Sequence, residues 1–299
     1  MNRRALLEAA ALAGFGAAMA ATGAAEAPAH RSPFVTAKDG TRLFVADWGA
    51  GRPVVLLAAW TFNSSIWGSH IAALNGKGFR CIAPDRRGHG RSEVAMSGYD
   101  IDTLADDVAA VIEERDLRDV ALIAHSMGTI EAVNYLARHG SGRIGRLVLA
   151  APTTPFLMQT DDNPDAVPRA AIVAQNTVIA EDYPKWIADN EAPFFTGDTP
   201  AETRAWIKAM MLSVPLPVAL ACRATLAFSD LRGACSDIDR PTLIVHGDKD
   251  ASAPLPLTGA KTTKLIRGSR LNVYAGAPHA IVPTHRQRFM ADVLRFIGG

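Results

Sequence analysis

The stretch Val120-Ala121-Leu122-Ile123-Ala124-His125-Ser126-Met127-Gly128-Thr129-Ile130 decides how this chain is read. Its first five residues, 120–124, are a continuous apolar run, the pattern of a strand buried on both faces. Ser126 follows with small residues two positions away on either side, Ala124 and Gly128, and Ile130, Val133, Tyr135 and Leu136 then recur at helical spacing over 129–138. Strand, sharp turn and helix together throw a serine Oγ to the top of a sheet. Ala124-His125-Ser126-Met127-Gly128 is G-x-S-x-G with alanine at the first glycine position. Isolated matches to such a pattern arise by chance in an alanine-rich chain, and the flanking strand and helix set this one apart. The helix N-terminus also aims backbone donors at the serine, which favours negative charge developing there.

Outward from this centre the chain alternates strands and helices. Residues 34–37 and 41–48 flank Lys38-Asp39-Gly40, a hairpin signal that predicts an antiparallel start. Runs at 54–57, 81–83 and 147–151 read, like 120–124, as buried parallel strands, and Leu104, Val108, Val111 and Ile112 share one helix face. The expected architecture is α/β, a mostly parallel sheet with helices on both faces. The rhythm stops after Ala151. Residues 153–236 carry helix signals and prolines at 155, 164, 168, 184, 193, 215 and 217, and Thr199-Pro200-Ala201-Glu202 reads as a capping box. Strand signals resume at 241–245 and 271–274, and Phe289, Val293 and Phe296 predict a last amphipathic helix. The segment 153–236 is therefore expected to form a helical lid over the edge of the sheet where ligands bind. Its Phe156, Trp186, Phe194, Phe195, Met210, Met211 and Leu216 read as lid core.

An alcohol needs a base to attack at neutral pH, and the base needs an acid to orient it. Both must come from later strand ends. His246-Gly247-Asp248-Lys249-Asp250 follows one strand and Gly276-Ala277-Pro278-His279 the next, so His279 is the expected base, with Asp248 and Asp250 as candidate acids. His125 is read as pointing away along the turn, His246 as packing, and His30, His139 and His285 as surface groups. Two backbone N–H groups would hold an oxyanion. Met127 supplies one, and the loop after residues 54–57 supplies the other.

From about Phe34 to Phe296 the chain resembles the α/β-hydrolase superfamily, and most its branch of arylesterases, γ-lactamases and non-haem chloroperoxidases (perhydrolases). The residues that carry the resemblance are Asp85-Arg86-Arg87-Gly88-His89-Gly90-Arg91-Ser92, Ala105-Asp106-Asp107, Ser126-Met127-Gly128, Ala137-Arg138-His139-Gly140, Pro241-Thr242-Leu243, His246-Gly247-Asp248 and Ala277-Pro278-His279. By that similarity Asp250, in Gly247-x-x-Asp250-x-x-x-Pro254, matches the catalytic acid and Asp248 a variable position. Trp60 matches the second oxyanion donor, but Ala58-Ala59 stands where the family carries His-Gly, so the resemblance implies a shifted loop if that glycine needs a conformation alanine dislikes. Proline or leucine commonly follows the aromatic donor; Thr61 stands there, and the resemblance implies that Thr61→Pro would raise peracid formation relative to hydrolysis. The glycine spacing of residues 85–92 and their place after a strand suggest a tight loop whose arginines pair with nearby carboxylates, and the resemblance implies a scaffold role for it. Asp102, Asp106 and Asp107 read as carboxylates favoured at the opening of a helix.

The implied activity is serine hydrolysis of a small or medium carboxylic ester or lactone. Haloperoxidase or perhydrolase chemistry, amide or lactam cleavage, and a non-catalytic binding role are the alternatives. A serine nucleophile excludes the dehalogenases and epoxide hydrolases that need aspartate. With a net charge of +1 and 20% charged residues, composition speaks against a nucleic-acid partner. No cofactor is expected, and Cys81, Cys222 and Cys235 have no zinc or redox spacing. Met1-Asn2-Arg3-Arg4 followed by an Ala/Gly-rich run makes residues 1–27 an expected export signal, with Arg3-Arg4 resembling a twin-arginine start, which implies a periplasmic domain over 31–299. Elsewhere no stretch reaches the about 20 apolar residues of a membrane helix. A homo-oligomer is left open.

Overall fold

A continuous run of β-branched and aliphatic residues must be covered on both faces, and the sheet is built from such runs. The computed structural model describes residues 31–298; the expected export signal lies outside them. The strands are β1 (Phe34–Thr36), β2 (Arg42–Trp48), β3 (Arg52–Leu57), β4 (Phe79–Pro84), β5 (Val120–His125), β6 (Ile144–Ala150), β7 (Thr242–Gly247) and β8 (Arg270–Tyr274). They form one sheet in the order β1-β2-β4-β3-β5-β6-β7-β8. The β1/β2 hairpin and the β2/β4 pair are antiparallel, as the Asp39-Gly40 turn predicts, and every other pair is parallel. β5 sits at the centre with all six residues buried. Its register on β3 sets Ala124 beside Leu57, and its register on β6 sets His125 beside Ala150.

Helices α1 (Gly68–Asn75), α2 (Ile101–Glu114) and α3 (Met127–His139) connect the early strands. α2 packs on α3, while α1 packs against the last helix, α12 (Arg286–Gly298). α3 is buried from Met127 to Leu136. In α12 Ile297 is fully buried and Phe296 only partly, so the buried stripe is shifted by one residue from the expected one. The cap of α2 is also elsewhere than expected. Asp100 accepts from Thr103 N, Asp102 alone of the three expected carboxylates lies in the first turn, and Asp106 and Asp107 pair with Arg138 and Arg87.

Between β6 and β7 the chain holds helices and no named strand: α4 (Arg169–Glu181), α5 (Tyr183–Asp189), α6 (Glu191–Phe194), α7 (Ala201–Leu212), α8 (Leu216–Phe228) and α9 (Arg232–Ser236). Pro168, Pro200 and Pro215 each stand directly before a helix, while Pro184, Pro193 and Pro217 lie within α5, α6 and α8. The capping box does not form. Pro200 is itself the N-cap of α7, in an extended conformation, and the Thr199 hydroxyl bonds Thr196 Oγ1 at 2.8 Å. After β7 come α10 (Gly259–Leu265) and α11 (Ile281–Thr284). Among the described residues no single helix is long and apolar enough to cross a membrane. Cys81 on β4, Cys222 on α8 and Cys235 on α9 are buried free thiols.

Candidate active site

Ser126 ends β5 and begins α3 with φ 52° and ψ −117°, a left-handed backbone that costs a non-glycine residue about 1–2 kcal/mol. Hydrogen bonds on both sides hold it there. Ser126 N donates to Ala150 O at 2.9 Å, and Ser126 O accepts from Thr129 N at 2.8 Å, from Thr129 Oγ1 at 2.5 Å and from Thr153 Oγ1 at 3.3 Å. Gly128 is required for the approach of α3 to β3, because a Cβ there would stand 2.8 Å from Leu57 O.

The loops after β7 and β8 bring the remaining candidates to the serine. Lys249 N donates to Ala277 O at 3.1 Å and Gly276 N to Asp248 Oδ1 at 2.7 Å, lacing the two loops together. Asp248 is thus a loop tether. His279 Nε2 stands 2.7 Å from Ser126 Oγ and His279 Nδ1 2.7 Å from Asp250 Oδ2. With Nδ1–H donating to the carboxylate, Nε2 is left to accept from the serine, a tautomer assigned from these partners. Asp250 Oδ1 accepts from Ser252 N at 3.0 Å and Ala253 N at 2.7 Å. Burial opposes charge on Asp250, but the nearby His279 and the hydrogen bonds from His246 and His279 prevail, holding its carboxyl well below the usual carboxylate range.

Two histidines stand differently from the sequence reading. His246 Nε2 reaches Asp250 Oδ2 at 3.1 Å and Ala253 O at 2.9 Å, so it is a second donor to the acid and not packing alone. Gly259 makes space for its ring, since a Cβ there would meet His246 Nδ1 at 2.3 Å. His125 does not point away. Its Nε2 bonds the His279 carbonyl at 3.1 Å, and burial pushes it down to about 3, so it is a neutral prop beneath the base. His139 and His285 are half-buried instead of superficial, bonded to Asp106 and to the Thr284 hydroxyl. His30 lies outside the described residues.

The loop after β3 carries Trp60. Neither Ala58 nor Ala59 has a positive φ, so alanine is accommodated where the family glycine stands, and the left-handed residue is Thr61, at φ 61°. Thr61 Oγ1 donates to Trp60 O at 2.6 Å, and the Trp60 indole Nε1 donates to Ala219 O on α8 at 2.8 Å. Beneath the loop the arginines of residues 85–92 pair with carboxylates as expected, Arg87 with Asp107 and Arg86 with a partner that the sequence did not name. The buried Arg86 donates Nη2 to Ala58 O at 2.8 Å and Nη1 to Ala59 O at 3.2 Å while its Nε pairs with the buried Glu131 of α3. Burial alone would weaken the Arg86 charge; Glu131 more than offsets it. Glu131 is the one carboxylate of α3 and is buried, a position where a carboxylate calls for a cation.

Ser126 and His279 open onto a cavity of about 250 Å³. Ala59 and Trp60 line it, as do Trp186, Phe194, Phe195 and Met211 of the inserted segment, so these four are cavity wall as well as the expected lid core, Phe195 and Met211 being buried in the core and Trp186 and Phe194 packed against it.

The sequence pattern of the α/β-hydrolase fold matches residues 52–285, most of the chain. The chain belongs to the α/β-hydrolase family. This hydrolase is 38% identical over 275 residues to a non-heme chloroperoxidase of Kitasatospora aureofaciens, covering 89% of this chain and 99% of that protein. It is 31% identical over 276 residues to a bifunctional esterase/perhydrolase of Acinetobacter calcoaceticus, covering 88% and 99%. Among solved structures it superposes on an esterase of Exiguobacterium antarcticum with a TM-score of 0.86 at 30% identity, covering 89% of this chain and 99% of that one. Within that architecture Ser126 stands at the tip of the central strand β5, and Asp250 and His279 stand on the two loops beyond the inserted helices.

Proposed function

We propose that the protein is a serine hydrolase that cleaves a small or medium carboxylic ester or lactone through an acyl-enzyme. The observation that carries this reading is the unbroken hydrogen-bonded line Ser126 Oγ, His279, Asp250, with 2.7 Å at each step, at the floor of a largely apolar cavity. In this reading Ser126 Oγ attacks the carbonyl carbon as its proton passes to His279 Nε2. Asp250 holds Nδ1–H and stabilises the imidazolium. The tetrahedral oxyanion is met by the N–H groups of Met127 and Trp60. His279 then gives its proton to the departing alcohol oxygen, the C–O bond breaks, and the acyl group remains on Ser126. Water, deprotonated by His279, releases the acid by the same steps in reverse.

A panel of chromogenic esters of increasing chain length, with a lactone beside it, tests the reading. Ser126→Ala should lower kcat by several orders of magnitude while the circular dichroism spectrum stays unchanged. Turnover in Ser126→Ala close to the wild-type value would reject the serine mechanism.

The names of the relatives favour a second reading, perhydrolysis by the same acyl-enzyme, in which hydrogen peroxide replaces water and leaves as the peracid. A peracid yield exceeding acid at millimolar peroxide would make that reading the better one.

Residues 1–27 carry the proposal of export to the periplasm. Arg3-Arg4→Lys-Lys should hold a twin-arginine precursor in the cytoplasm, whereas undiminished export would reject that route.

A further inference from the structure

The cavity above Ser126 is largely apolar, and Arg223 of α8 enters it beside Gln175 of α4. The other two charged side chains lining the cavity besides the candidate triad, Lys208 and Glu191, neutralise each other, with Lys208 Nζ 2.6 Å from Glu191 Oε2. Arg223 is different. Among the described residues it forms no ion pair, and its partners are two neutral amides, with Nε donating to Asn176 Oδ1 at 2.8 Å and Nη2 to Gln175 Oε1. Nη1 has no protein partner among the described residues. The guanidinium carbon stands 5.9 Å from the Trp60 ring and 5.8 Å from the Trp186 ring, beside the edge-to-face pair that these two indoles form with each other.

Removing a cation from water is costly unless an anion compensates, and amide oxygens supply only partial charges. Burial accordingly lowers the affinity of Arg223 for its proton, with no acid to offset the effect, although an arginine remains charged at any physiological pH. The two amides hold the planar fork with one edge free, and a carboxylate fits that edge. A purely hydrophobic substrate would leave the charge uncompensated once it displaced water from the cavity.

We propose that Arg223 forms a carboxylate subsite in the candidate active site, so that the preferred substrates are monoesters or lactones bearing a free carboxylate at the end of a short apolar chain. This rests on the ester and lactone reading above and narrows its substrate class. The apolar spacer lies against Trp60 and Trp186, and the carboxylate meets Arg223 while Ser126 attacks the ester carbonyl.

The test compares p-nitrophenyl hemiesters of succinic, glutaric and adipic acid with neutral p-nitrophenyl esters of matching length. Wild-type kcat/KM should favour a hemiester, mainly through KM. In Arg223→Gln the ratio of hemiester to neutral-ester kcat/KM should fall by roughly ten- to a hundredfold, the range for a hydrogen bond to a charged group. Arg223→Lys keeps the charge without the fork and should retain more of the ratio. If Arg223 only tethers α8 to α4, both substrates lose rate together and the ratio stays constant, which overturns the proposal, as does a wild-type preference for the neutral esters. A second measurement needs no turnover: calorimetric titration of glutarate into Ser126→Ala protein should show binding that Ser126→Ala/Arg223→Gln protein lacks. No binding by the former overturns the subsite. Arg223-dependent binding without hydrolysis of any ester would sustain the subsite and reject the esterase reading instead.

Discussion

His246 and His279 converge on one oxygen of Asp250, Oδ2, at 3.1 and 2.7 Å. The carboxylate that orients the candidate base is therefore itself oriented by a second imidazole, and Ser252 N and Ala253 N hold its other oxygen. Removing the His246 donor should cost about one charge-assisted hydrogen bond, near a tenfold loss of kcat for His246→Ala. Asp250→Asn should cost on the order of 10⁴, because the amide favours the wrong tautomer of His279. Asp248→Asn, which weakens only the tether to Gly276 N, should alter the unfolding midpoint and not kcat. Steady-state kinetics on the three variants checks the ranking, and a larger loss in Asp248→Asn than in Asp250→Asn would reassign the acid.

Arg86 joins the nucleophile helix to the loop that carries Trp60. Arg86→Met leaves the Glu131 carboxylate buried without its partner and should destabilise the fold by about 3–5 kcal/mol in chemical denaturation. Arg86→Met/Glu131→Leu should regain most of that stability. Its kcat should stay about tenfold low, since Ala58 O and Ala59 O have still lost their donor. Full recovery of kcat in the double variant would make Arg86 a purely stabilising residue.

The contrast between Arg86 and Ser126 indicates what a sequence discloses. The strands were legible because buried parallel strands are written as unbroken apolar runs, and Ser126 was legible because strand, turn and helix adjoin it in the chain. His279 followed from order along the chain. That the arginines of residues 85–92 pair with carboxylates was legible too, but that Arg86 takes Glu131, 45 positions away, and that His246 meets Asp250 depend on how the loops pack. The failed capping box at Thr199 teaches the converse. A locally sufficient signal was overridden when the proline itself took the cap position and the threonine hydroxyl found Thr196.

At Thr61 the geometry revises the expectation about peroxide. Proline holds φ near −65°, and Thr61 sits at 61°, so Thr61→Pro would have to rebuild the loop and should lower both activities. Thr61→Val is the cleaner probe, because it removes the hydroxyl that occupies Trp60 O at 2.6 Å. The ratio of peracid to acid formed from a short-chain ester in hydrogen peroxide should rise in Thr61→Val, and an unchanged ratio would remove that hydroxyl from the choice of acyl acceptor.

Burial also predicts acid lability. It pushes His70 down to about 4, and His89 and His125 down to about 3, whereas an unfolded histidine titrates near 6.5. As the pH falls below about 6.5 the unfolded chain takes up protons that the folded chain refuses. Stability is fully present above that value and declines towards pH 4. Each group contributes at most about 1.4 kcal/mol per pH unit, so the three together approach ~4 kcal/mol per unit. Urea unfolding at pH 7, 6 and 5 measures the slope. His70→Phe, which keeps an aromatic ring between Trp67 and Phe289, should flatten it by one proton's share.

The three buried cysteines make the molecule its own clock. Burial pushes each thiol up to about 12, so at neutral pH almost none is the thiolate that reacts with alkylating reagents. Cys81 belongs to the sheet, whereas Cys222 and Cys235 belong to the helices inserted between β6 and β7. Alkylation resolved by peptide mass would time the opening of the two regions separately in one sample, with no engineered label.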